Sequence, residues 1–365
     1  MSHWKSFHIE HFRRLEGLRL DNLGAVNLLV GKNNSGKTSV LEALAIASHP
    51  TNAFTWIDIG REREMKSART PVLEVLNWFF PHKAPRENGF EGAAAMEAVI
   101  STGDTLAIEA RYHEFRQLEM AQEITDASEL GEEELSEYAA TLNVKLHRKG
   151  ADGKLAHTRS SIHEFTGKRY KEPDTAQPIF PCQFVSPVSH RTNRQLLAAV
   201  DQVLVERLKP EVISLMQMLA EDVDDLEIRS PQGRGAVIHL HHSKIGHVPL
   251  SVEGDGMRRA LAFASAAALA KGGVLLVDEV ETALHPDALA GIFRFLVQVC
   301  RATGVQLFVT THSLEAVDAM LASVGEDVKD LVAYRLPARG SDHLIKRFGG
   351  QTLHDLRNEG GLDLR

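Results

Sequence analysis

One octapeptide constrains this chain more than any other feature: Gly31-Lys32-Asn33-Asn34-Ser35-Gly36-Lys37-Thr38. Its spacing is G-x-x-x-x-G-K-[S/T]. The run Val26-Asn27-Leu28-Leu29-Val30 before it is nearly all apolar, as a buried strand should be. Val40, Leu41, Leu44 and Ala45 after it have helical spacing. Strand, glycine loop and helix in that order make a phosphate-binding loop. Gly31, Gly36, Asn33 and Asn34 tolerate the positive φ angles that aim successive N–H groups at one point. The helix start adds positive dipole. Lys37 is expected to neutralise β/γ-phosphate charge, and Thr38 to offer its hydroxyl to Mg²⁺. Ser35 and Ser39 complete the loop residues assigned to the nucleotide. The expected cofactors are ATP and Mg²⁺.

Three further segments carry chemistry. Val274-Leu275-Leu276-Val277 reads as a buried strand ending in Asp278-Glu279, where α/β sheets bind ligands. Asp278 is expected to hold Mg²⁺ through water, and Glu279 to orient or deprotonate an attacking water. Leu307-Phe308-Val309 reads as the next strand and ends in Thr310-Thr311-His312-Ser313, which puts His312 within reach of a γ-phosphate. Leu250-Ser251-Val252-Glu253-Gly254-Asp255-Gly256-Met257-Arg258-Arg259 leads into an Ala-rich helix. Ser251, Gly254 and Gly256 there form a second candidate anion site at a helix start.

The order of elements indicates one α/β core split by a long insertion. Short strands fill the first thirty residues. Residues 105–115 and 142–146 alternate like strands, and Gly150-Ala151-Asp152-Gly153 signals a hairpin into 155–163. Residues 117–138 are Glu-rich and expected to be helical. Residues 195–219 read as helix broken at Pro210, and 228–250 as β-rich. From 254 on, helices and strands alternate cleanly. Residues 337–365 are expected to hold a strand near 343–347 and a terminal helix.

Composition narrows the class. The chain has 365 residues with 43% hydrophobic and 25% charged, which are ordinary globular values. Its net charge of −8 argues against coating nucleic acid by bulk charge but leaves a local basic strip open. Cys182 and Cys300 stand too far apart for a CxxC zinc site, and their scarcity fits a reducing cytoplasm. The N-terminus has no apolar signal region, and the most apolar stretch, 260–270, is too short to span a bilayer. No membrane association is expected.

The motif set resembles the ABC-type ATPase heads of the SMC/RecF class, and within it the OLD-type ATPases. GKNNSGKT matches that class's phosphate loop, VDEVETALHP its extended Walker B and D-loop, and TTHS its switch histidine. LSVEGDGMRR stands where the ABC signature stands but lacks a strict LSGGQ, which weakens a transporter reading; a transporter would also need a membrane partner. Arg13, in Phe12-Arg13-Arg14, sits where such heads carry an arginine near the nucleotide. Gln183 is the candidate Q-loop residue and metal ligand by position alone.

The resemblance implies an α/β P-loop fold: an ABC-ATPase head with a mixed β lobe, formed by 1–48 and 180–336. A helical and β-hairpin insertion would occupy 50–170, between the phosphate loop and the Q-loop region. It also implies a head-to-tail dimer sandwiching two ATP molecules, with Ser251 and Gly254 of one subunit touching the γ-phosphate held by Lys37 of the other. Only about fifty residues follow His312, without a DxD pair, so no nuclease domain is expected in this chain. The expected function is an ATPase that controls a separately encoded effector, a nuclease or toxin, in anti-phage defence. The alternative is a RecF-like ATPase that binds DNA in repair.

Several signals carry less weight. His239, His241, His242 and His247 invite a metal, but no cysteine or carboxylate cluster joins them in sequence. His239 and His241 should share one strand face, with His242 on the other. Glu129 to Glu137 reads as a solvated helix face. Arg61, Arg63, Lys66 and Arg69 form the densest basic cluster, interleaved with Glu62 and Glu64.

Overall fold

The computed structural model describes residues 3–63, 73–81, 90–115, 139–165, 168–171, 177–187, 189, 193–230, 235–282, 284, 286–324, 329–337 and 345–358. The Glu-rich run 129–137 and the basic positions 66 and 69 lie outside them. The chain divides into two compact units. One comprises 1–3, 23–41 and 180–365; the other comprises 4–22 and 42–179. The division falls within helix α1 (Lys37–Ser48).

The first unit is built on a six-stranded sheet. Its order is β16 (Lys346–Gly349), β15 (Leu331–Arg335), β3 (Val26–Val30), β14 (Gln306–Thr311), β13 (Val274–Val277), β9 (Cys182–Val185). All neighbours are parallel except β15 and β16. Every residue of β3, β13 and β14 is buried, which explains their continuous apolar runs. The one polar residue of β3, Asn27, is satisfied locally: its amide donates to Gly24 O at 2.9 Å, and its oxygen accepts the Gly24 N–H at 2.8 Å. Helices α3 (Asn193–Val205), α4 (Lys209–Gln217), α5 (Asp255–Leu269), α6 (Pro286–Thr303), α7 (Leu314–Val324) and α8 (Gly350–Asn358) belong to the same unit. Helix α5 is buried from Arg259 to Leu269, and its alanines let neighbouring helices approach closely.

A three-stranded antiparallel sheet, β10 (Val223–Arg229), β11 (Val237–His242) and β12 (Gly246–Pro249), precedes α5. The histidines fall on it as the strand period requires, with His242 buried and His239 and His241 half-buried on the other face. Carboxylates do join them, brought in by cross-strand register rather than by sequence. Asp224 pairs with His241, while Asp222 and Glu253 flank His242 at 3.3 and 3.1 Å. His241, His242 and His247 each face acids of their own while His239 Nδ1 faces Val237 O, so the described residues of this cluster form separate contacts rather than one shared ligand cage.

The second unit is a seven-stranded antiparallel sheet. Its order is β2 (Leu15–Leu20), β1 (Trp4–Phe12), β4 (Glu91–Ile100), β5 (Thr105–Phe115), β6 (Ala139–Lys149), β7 (Leu155–Phe165), β8 (Lys168–Lys171). The first two strands therefore hydrogen-bond into the sheet of the 50–170 segment, since β1 pairs with β4. Helix α2 (Ala53–Arg63) and a 3₁₀ turn (Glu74–Phe79) accompany this sheet. Its core is aromatic: Phe12 stacks on Phe79 at 5.3 Å, and Phe80 on Tyr112 at 5.3 Å.

Candidate functional site

Sheet register builds the site. Strands β3, β14 and β13 are adjacent and parallel, so their C-terminal ends lie on one edge. Val30 pairs with Thr311, and Val309 with Val277. The loop 31–36, His312 and Asp278 leave the sheet at that edge, where open α/β sheets bind ligands.

The loop is shaped for an anion. Gly31 has φ of 149°, and a Cβ there would stand 2.9 Å from both Leu336 O and Ser35 Oγ. Gly36 and Asn34 have φ of 91° and 66°. Ser35 Oγ is buried and has no hydrogen-bond partner. Lys37 is buried and its Nζ donates to Gly31 O at 2.8 Å and Lys32 O at 3.0 Å. Burial pushes its pKa below the ordinary lysine value, while Asp278, then Glu279 and Glu281, pull it back. A desolvated ammonium held against loop carbonyls suits an incoming polyphosphate. Lys32, Asn33 and Asn34 are exposed, and Ser39 is half-buried on α1.

Thr38 and Asp278 meet directly. Thr38 Oγ1 donates to Asp278 Oδ2 at 2.9 Å and lies 3.1 Å from Oδ1. A hydroxyl and a buried carboxylate in direct contact make an all-oxygen pair, which fits Mg²⁺. Thr310 locks the acid, donating from Oγ1 to Asp278 Oδ1 at 2.5 Å and accepting the Glu279 N–H at 2.8 Å. Glu279 has φ of 43°, a left-handed conformation unusual for a non-glycine residue and one found at functional turns. Its Oε2 accepts the Thr282 hydroxyl at 3.3 Å. His312 is half-exposed and bound through Nδ1 to Glu281 Oε1 at 3.0 Å.

Other expected residues stand elsewhere. Ser251, Gly254 and Gly256 are exposed at the start of α5, where Gly254 occupies the N-cap without a side-chain bond. Gln183 lies within β9, in register with Leu275 and three positions upstream of Asp278. That is about 10 Å along a strand, so the structure does not bring Gln183 to the metal pair. The residues at that strand's C-terminal end are Ser186 and Pro187. Arg13 belongs to the second unit. Its guanidinium is held by Glu42 at 2.7 Å and lies 4.4 Å from the Phe79 ring centroid.

The sequence reading left three residues without a role: Thr310, Glu281 and Arg259. Each lay inside a recognised motif. Arg259 is fully buried and donates to Glu279 O at 3.0 Å and Pro187 O at 3.2 Å.

Comparison with known proteins places this site in a family. A model of the AAA ATPase domain matches residues 4–145. One described as "AAA domain, putative AbiEii toxin, Type IV TA system" matches residues 183–318. MJECL11 of Methanocaldococcus jannaschii, an uncharacterised protein, is 32% identical over 114 residues, which are 31% of this chain and 98% of that protein. The chain belongs to the AAA ATPases. Over 339 residues, this AAA ATPase is 20% identical to the ATP/GTP phosphatase of Helicobacter pylori, covering 87% of each. Among solved structures, an SMC head domain with an extended coiled coil, bound to the C-terminal domain of ScpA derived from Pyrococcus furiosus, aligns at 11% identity and a TM-score of 0.45. The alignment covers 98% of this ATPase and 99% of that chain. The expected α/β P-loop architecture with mixed sheets is the fold of this ATPase. Among the described residues, no helix is long and apolar enough to cross a membrane.

Proposed function

We propose that this chain hydrolyses ATP as a head-to-tail dimer and uses that cycle to control a separately encoded effector. The observation that carries the reading is the convergence of Lys37, Thr38, Asp278, Glu279 and His312 on the ends of three adjacent parallel strands.

The loop N–H groups of 31–39 receive the phosphates, and the Lys37 ammonium leaves its two loop carbonyls for the β/γ oxygens. Thr38 and Asp278 hold Mg²⁺, which neutralises phosphate charge when bound. Thr310 keeps the Asp278 carboxylate aimed and fixes the Glu279 backbone. Glu279 aligns a water with the γ-phosphorus and takes its proton as the new P–O bond forms. The bond to the β–γ bridging oxygen breaks, releasing ADP and phosphate. His312 contacts the γ-phosphate through the water aligned with it. Ser251, Gly254 and Gly256 reach the same phosphate from the second subunit; their full exposure at a helix start with no side-chain cap supports this role. Bound ATP thus favours the closed dimer, and hydrolysis releases it.

The effector reading is an OLD-like ATPase of cytoplasmic anti-phage defence, whose partner is a nuclease or toxin. It is supported by the toxin–antitoxin description of the family matching 183–318. Neither Cys182 nor Cys300 forms a disulfide, which is compatible with a reducing compartment.

The decisive experiment compares wild type with Glu279→Gln and Ser251→Arg by ATP turnover and by light scattering with and without Mg-ATP. Glu279→Gln is expected to bind ATP and accumulate as dimer with turnover lost. Ser251→Arg is expected to bind ATP as a monomer. Normal turnover in Glu279→Gln would refute the catalytic assignment, and undiminished dimerisation of Ser251→Arg would refute the trans contact. Co-purification with the product of the adjacent reading frame tests the effector. Salt-dependent duplex DNA binding that appears only with ATP would replace it with the RecF-like reading.

A further inference from the structure

His312 is gripped at two points by one oxygen. Glu281 Oε1 accepts the His312 backbone N–H at 2.9 Å and lies 3.0 Å from the imidazole Nδ1. The chain path after β13 makes this possible. Val280 N–H donates to Thr310 O at 3.2 Å, which carries the turn onto the end of β14. Leu284 N–H then donates to Glu281 O at 3.1 Å, closing the turn around the glutamate. The Glu281 side chain is only 12% exposed against 45% for His312, so the acid is walled in while the ring stays open to a ligand.

We infer that Glu281 is the positioning residue of His312, fixing both its rotamer and its tautomer for the water aligned with the γ-phosphate. The inference rests on the ATPase reading of this site. A carboxylate can only accept, so the contact requires the proton on Nδ1. Nε2 on the far side of the ring then carries the lone pair and is left to accept a hydrogen bond from the water aligned with the γ-phosphate. Without Glu281, an exposed imidazole would sample other rotamers and both tautomers. Glu279 does not serve here, because its Oε2 is turned to Thr282. The second Glu281 oxygen, Oε2, is buried without a hydrogen-bond partner. Its charge acts on the Lys37 ammonium, so Glu281 links the lysine and histidine sides of one site.

The test is a double-mutant cycle on the full chain with Mg-ATP, measured by single-turnover hydrolysis. Glu281→Ala is expected to lower the rate about 10–100-fold, as loss of an orienting partner does elsewhere, with Mg-ATP affinity within about threefold. In a His312→Ala background the same substitution should cost less than about twofold, because no ring remains to be oriented. Glu281→Gln keeps an acceptor for both N–H groups and should fall between wild type and Glu281→Ala. It also takes the place of Glu281→Ala in the cycle if the latter does not fold. The imidazole ¹⁵N signals of His312, identified by their loss in His312→Gln, should report the Nδ1–H tautomer in wild type and lose it in Glu281→Ala. Equal fold-losses in both backgrounds, an unchanged rate, or an Nε2–H tautomer in wild type would each overturn the inference. Failure of the ATPase reading looks different: Lys37→Ala would then retain ATP binding and turnover, whatever Glu281 does.

Discussion

Arg259 Nη2 donates to the backbone carbonyl of Glu279 at 3.0 Å. This ties α5 to the left-handed turn that carries the Glu279 carboxylate. The same guanidinium donates to Pro187 O, beyond β9, and lies 5.1 Å from the Phe263 ring centroid. Arg259→Leu removes both donors at once: Glu279 O keeps the Thr282 N–H at 2.9 Å, while Pro187 O loses this partner beside a fully buried position. Urea unfolding should show a loss of about 2–4 kcal/mol. The folded variant should lose turnover more than Mg-ATP affinity, because the Glu279 backbone is free to relax from φ of 43°. A folded variant with wild-type turnover would remove Arg259 from any role at the site.

Lys37 gives the second prediction. Its ammonium is held below the ordinary lysine pKa by burial, and bound nucleotide phosphates would offset that burial. Wild type should therefore gain stability with Mg-ATP, about 2.7 kcal/mol at a hundredfold excess over Kd, and its unfolding midpoint should rise. Lys37→Ala should show no ATP-dependent rise. A retained shift in thermal unfolding would mean that the loop is not the nucleotide site.

How far the sequence was legible differs between the two sheets. Strands β3, β13 and β14 announce themselves because burial on both faces favours near-continuous apolar runs. Strand β4 does not, since its Glu91-Gly92-Ala93-Ala94-Ala95-Met96 start is rich in helix formers. It is a strand because β1 and β5 pair with it on both sides, and its alternating burial emerges only from that pairing. The site divides the same way. Lys37, Thr38, Asp278, Glu279 and His312 were readable because each ends or follows a core strand. Glu281 was not, since its position beside His312 depends on the turn that Val280 staples to β14. Gln183 was misplaced for a related reason: composition located β9, but only register shows that its residue 183 lies short of the sheet edge.

The Arg13–Glu42 pair anchors the second unit. Glu42 is 2% exposed and Arg13 14%, with bonds of 2.7 Å from Nε and 3.2 Å from Nη2. Removing one partner strands a buried charge, so Glu42→Ala is expected to cost about 3–5 kcal/mol. Arg13→Ala should cost a similar amount and also lose the packing on Phe79. The double variant should lose clearly less than the sum, because it leaves no unpaired charge. Chemical denaturation of the three variants measures this, and additive losses would show that the two residues act independently.

Asp104 provides the pH test. Hydrogen bonds from Arg148, first, and from the Ala151 N–H hold its carboxyl below the ordinary range. Arg148 bridges the ends of two hairpins, since Asp104 precedes β5 and Arg148 lies on β6. A carboxyl whose pKa is lower folded than unfolded contributes stability at every pH above the unfolded value, near about 3.9. That contribution fades as pH falls further, through the folded value. Arg148→Met should therefore be less stable than wild type at neutral pH, with the gap in urea midpoint closing below about pH 3.9. The other carboxylates titrate alike in both proteins, so the comparison isolates this pair. A gap of constant size between pH 7 and pH 2.5 would mean that Arg148 stabilises the hairpins through packing of its stem rather than through Asp104.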